Sequence, residues 1–224
     1  MKKLKRLFLG ISIVLMILPL FALNGCSLGG ETIPKNRTKK QYEFEKTFEP
    51  MFKFLEQDKK DFTGLKAYSS RVYIENQDEV KKYEVDLDIT QADIKGDYTI
   101  TIGENNETVP VTYSNGKLNY ESEINPLFDE EILNLVIKRD HFAYLDVKET
   151  FKSAETELRD IIYALENHSD LYKHLKNKYF MPEDTVCRIR ISYSSYTIYS
   201  ITIQMISEEK TVQITSTIFK NSKS

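Results

Sequence analysis

The order of apolar and polar positions divides the chain into segments of two different periods. Tyr42, Phe44, Phe48, Met51, Phe52 and Leu55 recur at helical intervals, which predicts an amphipathic helix over 42–55, with Pro50 positioned to kink or divide it. From Leu65 to Tyr120 the period falls to two. Tyr83, Val85, Leu87 and Ile89 alternate with Lys82, Glu84, Asp86 and Asp88, and Tyr98, Ile100, Ile102 and Val109, Val111, Tyr113 repeat the pattern. Asn115-Gly116, between Tyr113 and Leu118, is a strong hairpin signal, and Glu75–Glu79 and Gly103–Glu107 read as further turns. These features predict an antiparallel meander of about five strands with one wet face.

A helical section is expected next. Asn125 and Pro126 suit an N-cap and a first helical position, with Asp129, Glu130 and Glu131 near the positive end of the dipole. Val147, Phe151, Ala154, Leu158, Ile161, Ile162 and Leu165 predict a second helix, and Ser169 a short capped third reaching about Tyr179 before Pro182. Alternation then returns in Cys187, Ile189, Ile191, in Tyr199, Ile201, Ile203, Met205, and in Val212, Ile214, Ile218, the last two strands joined by Ser207–Lys210. Strands, helices and strands in that order predict an α+β fold: an antiparallel β-sheet meander with helices packed on one face.

The N-terminus follows neither period. Lys2, Lys3, Lys5 and Arg6 precede an apolar run, Leu7 to Ala22, with no acidic residue before Glu31. As a helix those residues would span roughly 24 Å, short of a bilayer's ~30 Å hydrocarbon core, and Pro19 argues further against a permanent span. The order basic, apolar, small is that of a secretory signal. It ends in Leu23-Asn24-Gly25-Cys26, and here the chain resembles bacterial lipoprotein precursors. The resemblance implies cleavage between Gly25 and Cys26 and a diacylglyceryl group, with fatty chains such as palmitate, on the Cys26 thiol. Two acyl chains at ~0.8 kcal/mol per buried CH₂ hold a protein stably on a membrane, where one does so only marginally. An ordinary cleavable signal with a coincidental Cys is the competing reading. The expected organisation is a signal peptide over 1–25, a lipidated Cys and tether over 26–37, and a single ectodomain over 38–224 on the extracytoplasmic face of the cell membrane.

Charge then changes the picture. The whole chain carries 31 Lys+Arg against 34 Asp+Glu. Removing residues 1–25 deletes four basic and no acidic groups, leaving 27 against 34, a net of −7. Such an ectodomain has no electrostatic reason to bind nucleic acid or an anionic membrane, so the expected membrane attachment is the lipid alone. With Cys26 modified, Cys187 is the remaining thiol and no internal disulfide can form.

Leu175-Lys176-Asn177-Lys178-Tyr179-Phe180-Met181-Pro182, followed by a strand, a hairpin and the run Ile201-Thr202-Ile203 to Lys210-Thr211-Val212, resembles the end of the staphylococcal tandem-type lipoproteins, the conserved staphylococcal antigen group. The order of lipidated Cys, polar tether and first helix also agrees. The resemblance implies a Gram-positive, surface-exposed α+β lipoprotein associated with host contact, and it supplies no catalytic residues.

Candidate chemistry is sparse. His168 and His174, six residues apart, lie about 240° from each other on a helix, and His141 is remote in sequence, so no shared metal face is predicted. Glu84, Asp86 and Asp88 share one strand face and could be offered to Ca²⁺, but they lack the turn glycine and dense oxygen donors of a calcium loop, and a solvated outer face resisting edge pairing is the favoured reading. Cys187, alternating with Ile189 and Ile191, reads as a buried small hydrophobe rather than a nucleophile. No nucleophile elbow or glycine-rich phosphate loop occurs. Fourteen Tyr with no Trp is the compositional oddity, and Tyr193, Tyr196 and Tyr199 crowd one hairpin as a candidate binding surface. The expected function is therefore a non-enzymatic, membrane-anchored protein, without metal or cofactor, that contacts another macromolecule or a host surface. The alternative is an extracytoplasmic carrier or sensor of an apolar ligand, and an apolar cavity of several hundred Å³ would favour it.

Overall fold

The computed structural model describes residues 32–90, 93–122, 133, 135–195 and 197–221. The N-terminal signal and lipidation residues, Gly25 and Cys26 included, lie outside these, as does the helix expected to open at Asn125-Pro126. Pro34–Ser224 forms one compact unit. Its elements are α1 (Lys39–Glu45), a 3₁₀ turn (Lys46–Phe48), α2 (Glu49–Leu55), β1 (Leu65–Asn76), β2 (Val80–Asp88), β3 (Ile94–Ile102), β4 (Asn105–Ser114), β5 (Lys117–Tyr120), α3 (Arg139–Tyr144), β6 (Val147–Lys152), β7 (Arg159–Leu165), α4 (Asp170–Lys178), β8 (Val186–Ser194), β9 (Ile198–Ile206) and β10 (Lys210–Lys220).

The ten strands form one sheet in the order β5-β4-β3-β2-β1-β10-β9-β8-β7-β6. Two consecutive meanders, β1–β5 and β6–β10, join along β1 and β10, where Tyr68 faces Ile218 and Val72 faces Ile214. Neighbouring strands are antiparallel throughout. The protein is thus largely β, a mostly antiparallel sheet carrying short helices, which agrees with the α+β expectation at that level.

Pairing register carries the period-two pattern across the sheet. Tyr163, Ile189, Ile203, Ile214, Val72 and Tyr83 stand side by side on six successive strands, and all are buried. These residues join Phe48, Met51, Phe52 and Leu55 of the first helical segments and Phe142 of α3 in one hydrophobic cluster. Phe52 meets Phe142 edge-on at 4.9 Å between ring centroids, and Phe142 meets Tyr163 at 5.3 Å. Each such ring buries on the order of 150–250 Å², so these aromatic side chains supply much of the core.

Gly96 marks a point of close approach. A Cβ there would lie 1.8 Å from the Asp86 carbonyl oxygen, on the strand facing it. Asn115 and Gly116 both take positive φ, 53° and 82°, as a two-residue hairpin turn of this hand requires.

The expectation of a helix over Val147–Leu165 is overturned. The segment is two antiparallel strands, β6 and β7, with Glu157 at φ 53° in the turn between them. Ile161, Tyr163 and Leu165 alternate inward against Ile191, Ile189 and Cys187 of β8, and that pairing outweighs a helical spacing the apolar residues satisfy only by coincidence. A smaller correction concerns Gly103–Glu107, where β4 already begins at Asn105. The folded unit also begins before residue 38, because Arg37 is 7% exposed.

Candidate functional site

The candidate binding tyrosines divide. Tyr193 and Tyr199 face each other across β8 and β9 with ring centroids 4.9 Å apart, each 7% exposed. They sit on the inner face beside Ile218 and contribute to the core. Tyr196 lies outside the described residues. The aromatic side chains the structure leaves most open are instead Tyr144 and Phe180, 84% and 87% exposed. Phe180 follows α4 at φ 50°, where a bulky residue is strained, and the bonds Phe180 N–H to Asn177 O and Met181 N–H to Lys176 O close the helix end around it.

Cys187 is buried on the inner face opposite Met205, and burial pushes its thiol up to about 12, so it stays protonated and unreactive at neutral pH. Glu84 takes ion pairs from Arg71 and Lys82, while Asp86 and Asp88 are exposed. Among the described residues no group of three His, Cys, Asp or Glu side chains is placed to hold a metal ion.

The histidines are brought together differently from their order in the chain. His141 of α3 and His168, just before α4, border one cavity of about 250 Å³, whereas His174 is exposed on α4. Ile137, Leu145, Leu165 and Ile189 give this cavity an apolar floor, and Glu166, Asp170 and Tyr144 complete its rim. His168 Nδ1 lies 3.1 Å from Glu166 Oε2. That His141 and His168 border one cavity was hidden in the sequence because β6 and β7 intervene. Pockets for small ligands usually run from about 300 to 1,000 Å³, so this one has room for a single ring or a short alkyl chain.

Lys60 lies buried at the end of α2. Its Nζ donates to the carbonyls of Phe54 in the last turn of α2, of Gln57 just past it and of Leu135 from a segment remote in sequence, at 3.2, 2.9 and 2.9 Å. Burial lowers its pKa to about 8, against the pull of Asp58.

No protein-family model matches the chain, and no curated protein matches it. Three solved structures superpose loosely. A protein of unknown function of the DUF3598 family from Nostoc punctiforme shares 7% identity over 70% of this chain and 47% of its own, with TM-score 0.19, so the chain spans less than half of that protein's length. A LolA superfamily protein from Nitrosomonas europaea shares 6% identity over 79% and 94%, with TM-score 0.24. An N-terminal dehydratase from the difficidin assembly line shares 8% over 71% and 78%, with TM-score 0.16. At these scores none lends the chain a family or an activity.

Proposed function

We propose that the protein is a lipid-anchored extracytoplasmic protein, tethered through Cys26, whose ectodomain works by contact with another macromolecule rather than by catalysis. The signal-like N-terminus ending in Leu23-Asn24-Gly25-Cys26 supports the anchor. The observation that carries the contact reading is the filled inner face of the sheet. Val72, Ile161, Tyr163, Ile189, Ile191, Ile201, Ile203 and Ile214 are all 0% exposed, so the protein's own side chains occupy the space a large apolar ligand would need. In this reading the helical segments close over that face and leave the opposite one for contact. That outer face is polar, with Arg190, Thr202, Thr215, Arg71, Glu84, Thr99 and Thr108 in register across seven strands.

A second reading, a carrier or sensor of an apolar ligand, draws on the cavity between α3, β7 and α4. Native mass spectrometry of the mature protein, extracted in detergent from its own cells, separates the two. A co-purifying polypeptide, with diacylglyceryl on the N-terminal Cys as the sole small apolar adduct, is the expected result. A stoichiometric apolar small molecule released on unfolding would favour the carrier.

A further inference from the structure

The outer surface beside the β6 edge holds a buried carboxylate with one oxygen unused. Asp160 of β7 is 4% exposed although it points to the polar face, opposite Phe151 of β6 and Ser192 of β8. Its Oδ2 is ion-paired with Arg190, but its Oδ1 is buried with no hydrogen-bond partner among the described residues. A buried acceptor left unsatisfied is destabilising, the more so for a charged group, so such an atom calls for an explanation. Asp160 is one wall of a groove of about 320 Å³ whose other walls are Glu149, Phe151, Leu158, Ile162 and Arg190. Two carboxylates against one guanidinium leave the groove with an excess negative charge, and Phe151, 45% exposed, offers a ring to an incoming cation.

The groove adjoins an open strand. β6 ends the sheet order, so among the described residues its outer backbone edge has no partner strand. Edges of this kind template the addition of another strand, with main-chain bonds giving affinity and side-chain pockets giving selectivity. Two features narrow what can add. A register shift between Val147 and Glu149 limits the regular edge to the residues from Glu149 onward, of which Glu149 and Phe151 border the groove. Lys152 pairs with Arg159 on the other face, and Lys148 lies 3.9 Å from Asp146, so neither places a positive charge in the groove.

We propose that β6 and this groove form a docking site for an extended polypeptide of a partner protein, which adds along the edge and places a basic side chain in the groove beside Asp160 and Glu149. The proposal deepens the macromolecular-contact reading and rests on it. It is independent of how the protein is held at the membrane.

The test uses the mature lipidated protein in detergent micelles and a fluorescein-labelled peptide, Thr-Val-Lys-Val-Thr, with its acetyl-lysine counterpart. The lysine peptide is expected to bind saturably, and acetylation to weaken it at least about tenfold. Asp160→Asn should cause a similar loss, and Phe151→Ala a smaller one. Should Asp160→Asn fold poorly by circular dichroism, Glu149→Gln at an exposed position serves in its place, with a loss of several-fold. Equal binding of both peptides, unchanged binding by the folded variants, or no binding at roughly 1 mM peptide would each overturn the proposal. Diacylglyceryl on Cys26 and a co-purifying partner in the native spectrum would still stand in that event, which separates failure of the groove from failure of the broader reading.

Discussion

Arg37 and Glu45 form an ion pair in the interior, Nε to Oε1 at 2.8 Å, with side chains 0% and 1% exposed. The rest of the Arg37 guanidinium donates to the carbonyls of Leu145 and Phe142, the first at 2.5 Å and the second at 2.6 Å. Glu45 Oε1 accepts a second bond, from the Tyr163 hydroxyl at 2.7 Å, and Arg139 reaches Oε2 at 3.4 Å. One carboxylate therefore joins the chain's entry, α1, α3 and β7. Removing either partner strands a buried charge, so Arg37→Ala and Glu45→Ala should each cost about 3–5 kcal/mol in urea unfolding. The double variant should cost clearly less than their sum.

Gly96 should tolerate no side chain. A Cβ 1.8 Å from a backbone oxygen cannot be relieved by moving a flexible side chain, because the obstacle is the neighbouring strand. Gly96→Ala is expected to lose roughly 3 kcal/mol or more, whereas Gly103→Asn, with open space around its Cβ and a residue type that accepts its φ of 59°, should stay within about 1 kcal/mol. Chemical denaturation of both variants checks the contrast.

Ser169 caps α4 by accepting from the Tyr172 N–H at 3.2 Å. Ser169→Ala should cost about 1 kcal/mol, measured as a shift of the unfolding midpoint, while leaving the sheet's spectroscopic signature intact.

The alkaline response is set by Lys60 on one side and by the Cys187 thiol and buried tyrosines, Tyr68, Tyr163 and Tyr179 among them, on the other. Lys60 titrates at about 8 in the folded chain against 10.5 ordinarily, so between those values the unfolded chain holds more protons and stability rises with pH. Burial raises the Cys187 thiol from 9.0, and the Tyr68 hydroxyl from 10.0, to about 12 each, and raises Tyr163 well above 10.0. For these three the unfolded chain releases its protons first, and stability is lost as pH climbs through 9 to 12. The urea midpoint should therefore rise between pH 8 and 9, flatten while Lys60 and Cys187 oppose each other, and fall above the ordinary tyrosine value of 10.0. Lys60→Met should abolish the rise, and Tyr68→Phe should shrink the fall.

The sequence was most informative where local chemistry and sheet pairing agree. Alternation in Tyr83–Ile89, the Asn115-Gly116 turn, the Ser169 cap and the closing strands around Ile191, Ile203 and Ile214 each correspond to an observed element. Val147–Leu165 misled because its apolar residues also fit a helical stripe, and Ser153–Leu158 lacks the glycine, proline or asparagine that marks a tight turn. Tyr163, which the stripe leaves out, was the clue to alternation in Ile161-Ile162-Tyr163-Ala164-Leu165. Long-range relationships were not legible. Nothing local to Arg37 foretells a carboxylate eight residues on or a carbonyl at Leu145, and an Asp160 oxygen becomes an orphan only once β6, β7 and β8 are aligned.

The anchor at Cys26 is tested most directly by the intact mass of the mature N-terminal fragment, compared between the natural chain and Cys26→Ala. A fragment beginning at Cys26 and carrying diacylglyceryl in the natural chain, with its loss from the membrane fraction in the variant, is the predicted result. An unmodified Cys26, or a variant retained in the membrane as fully as the natural chain, would contradict it.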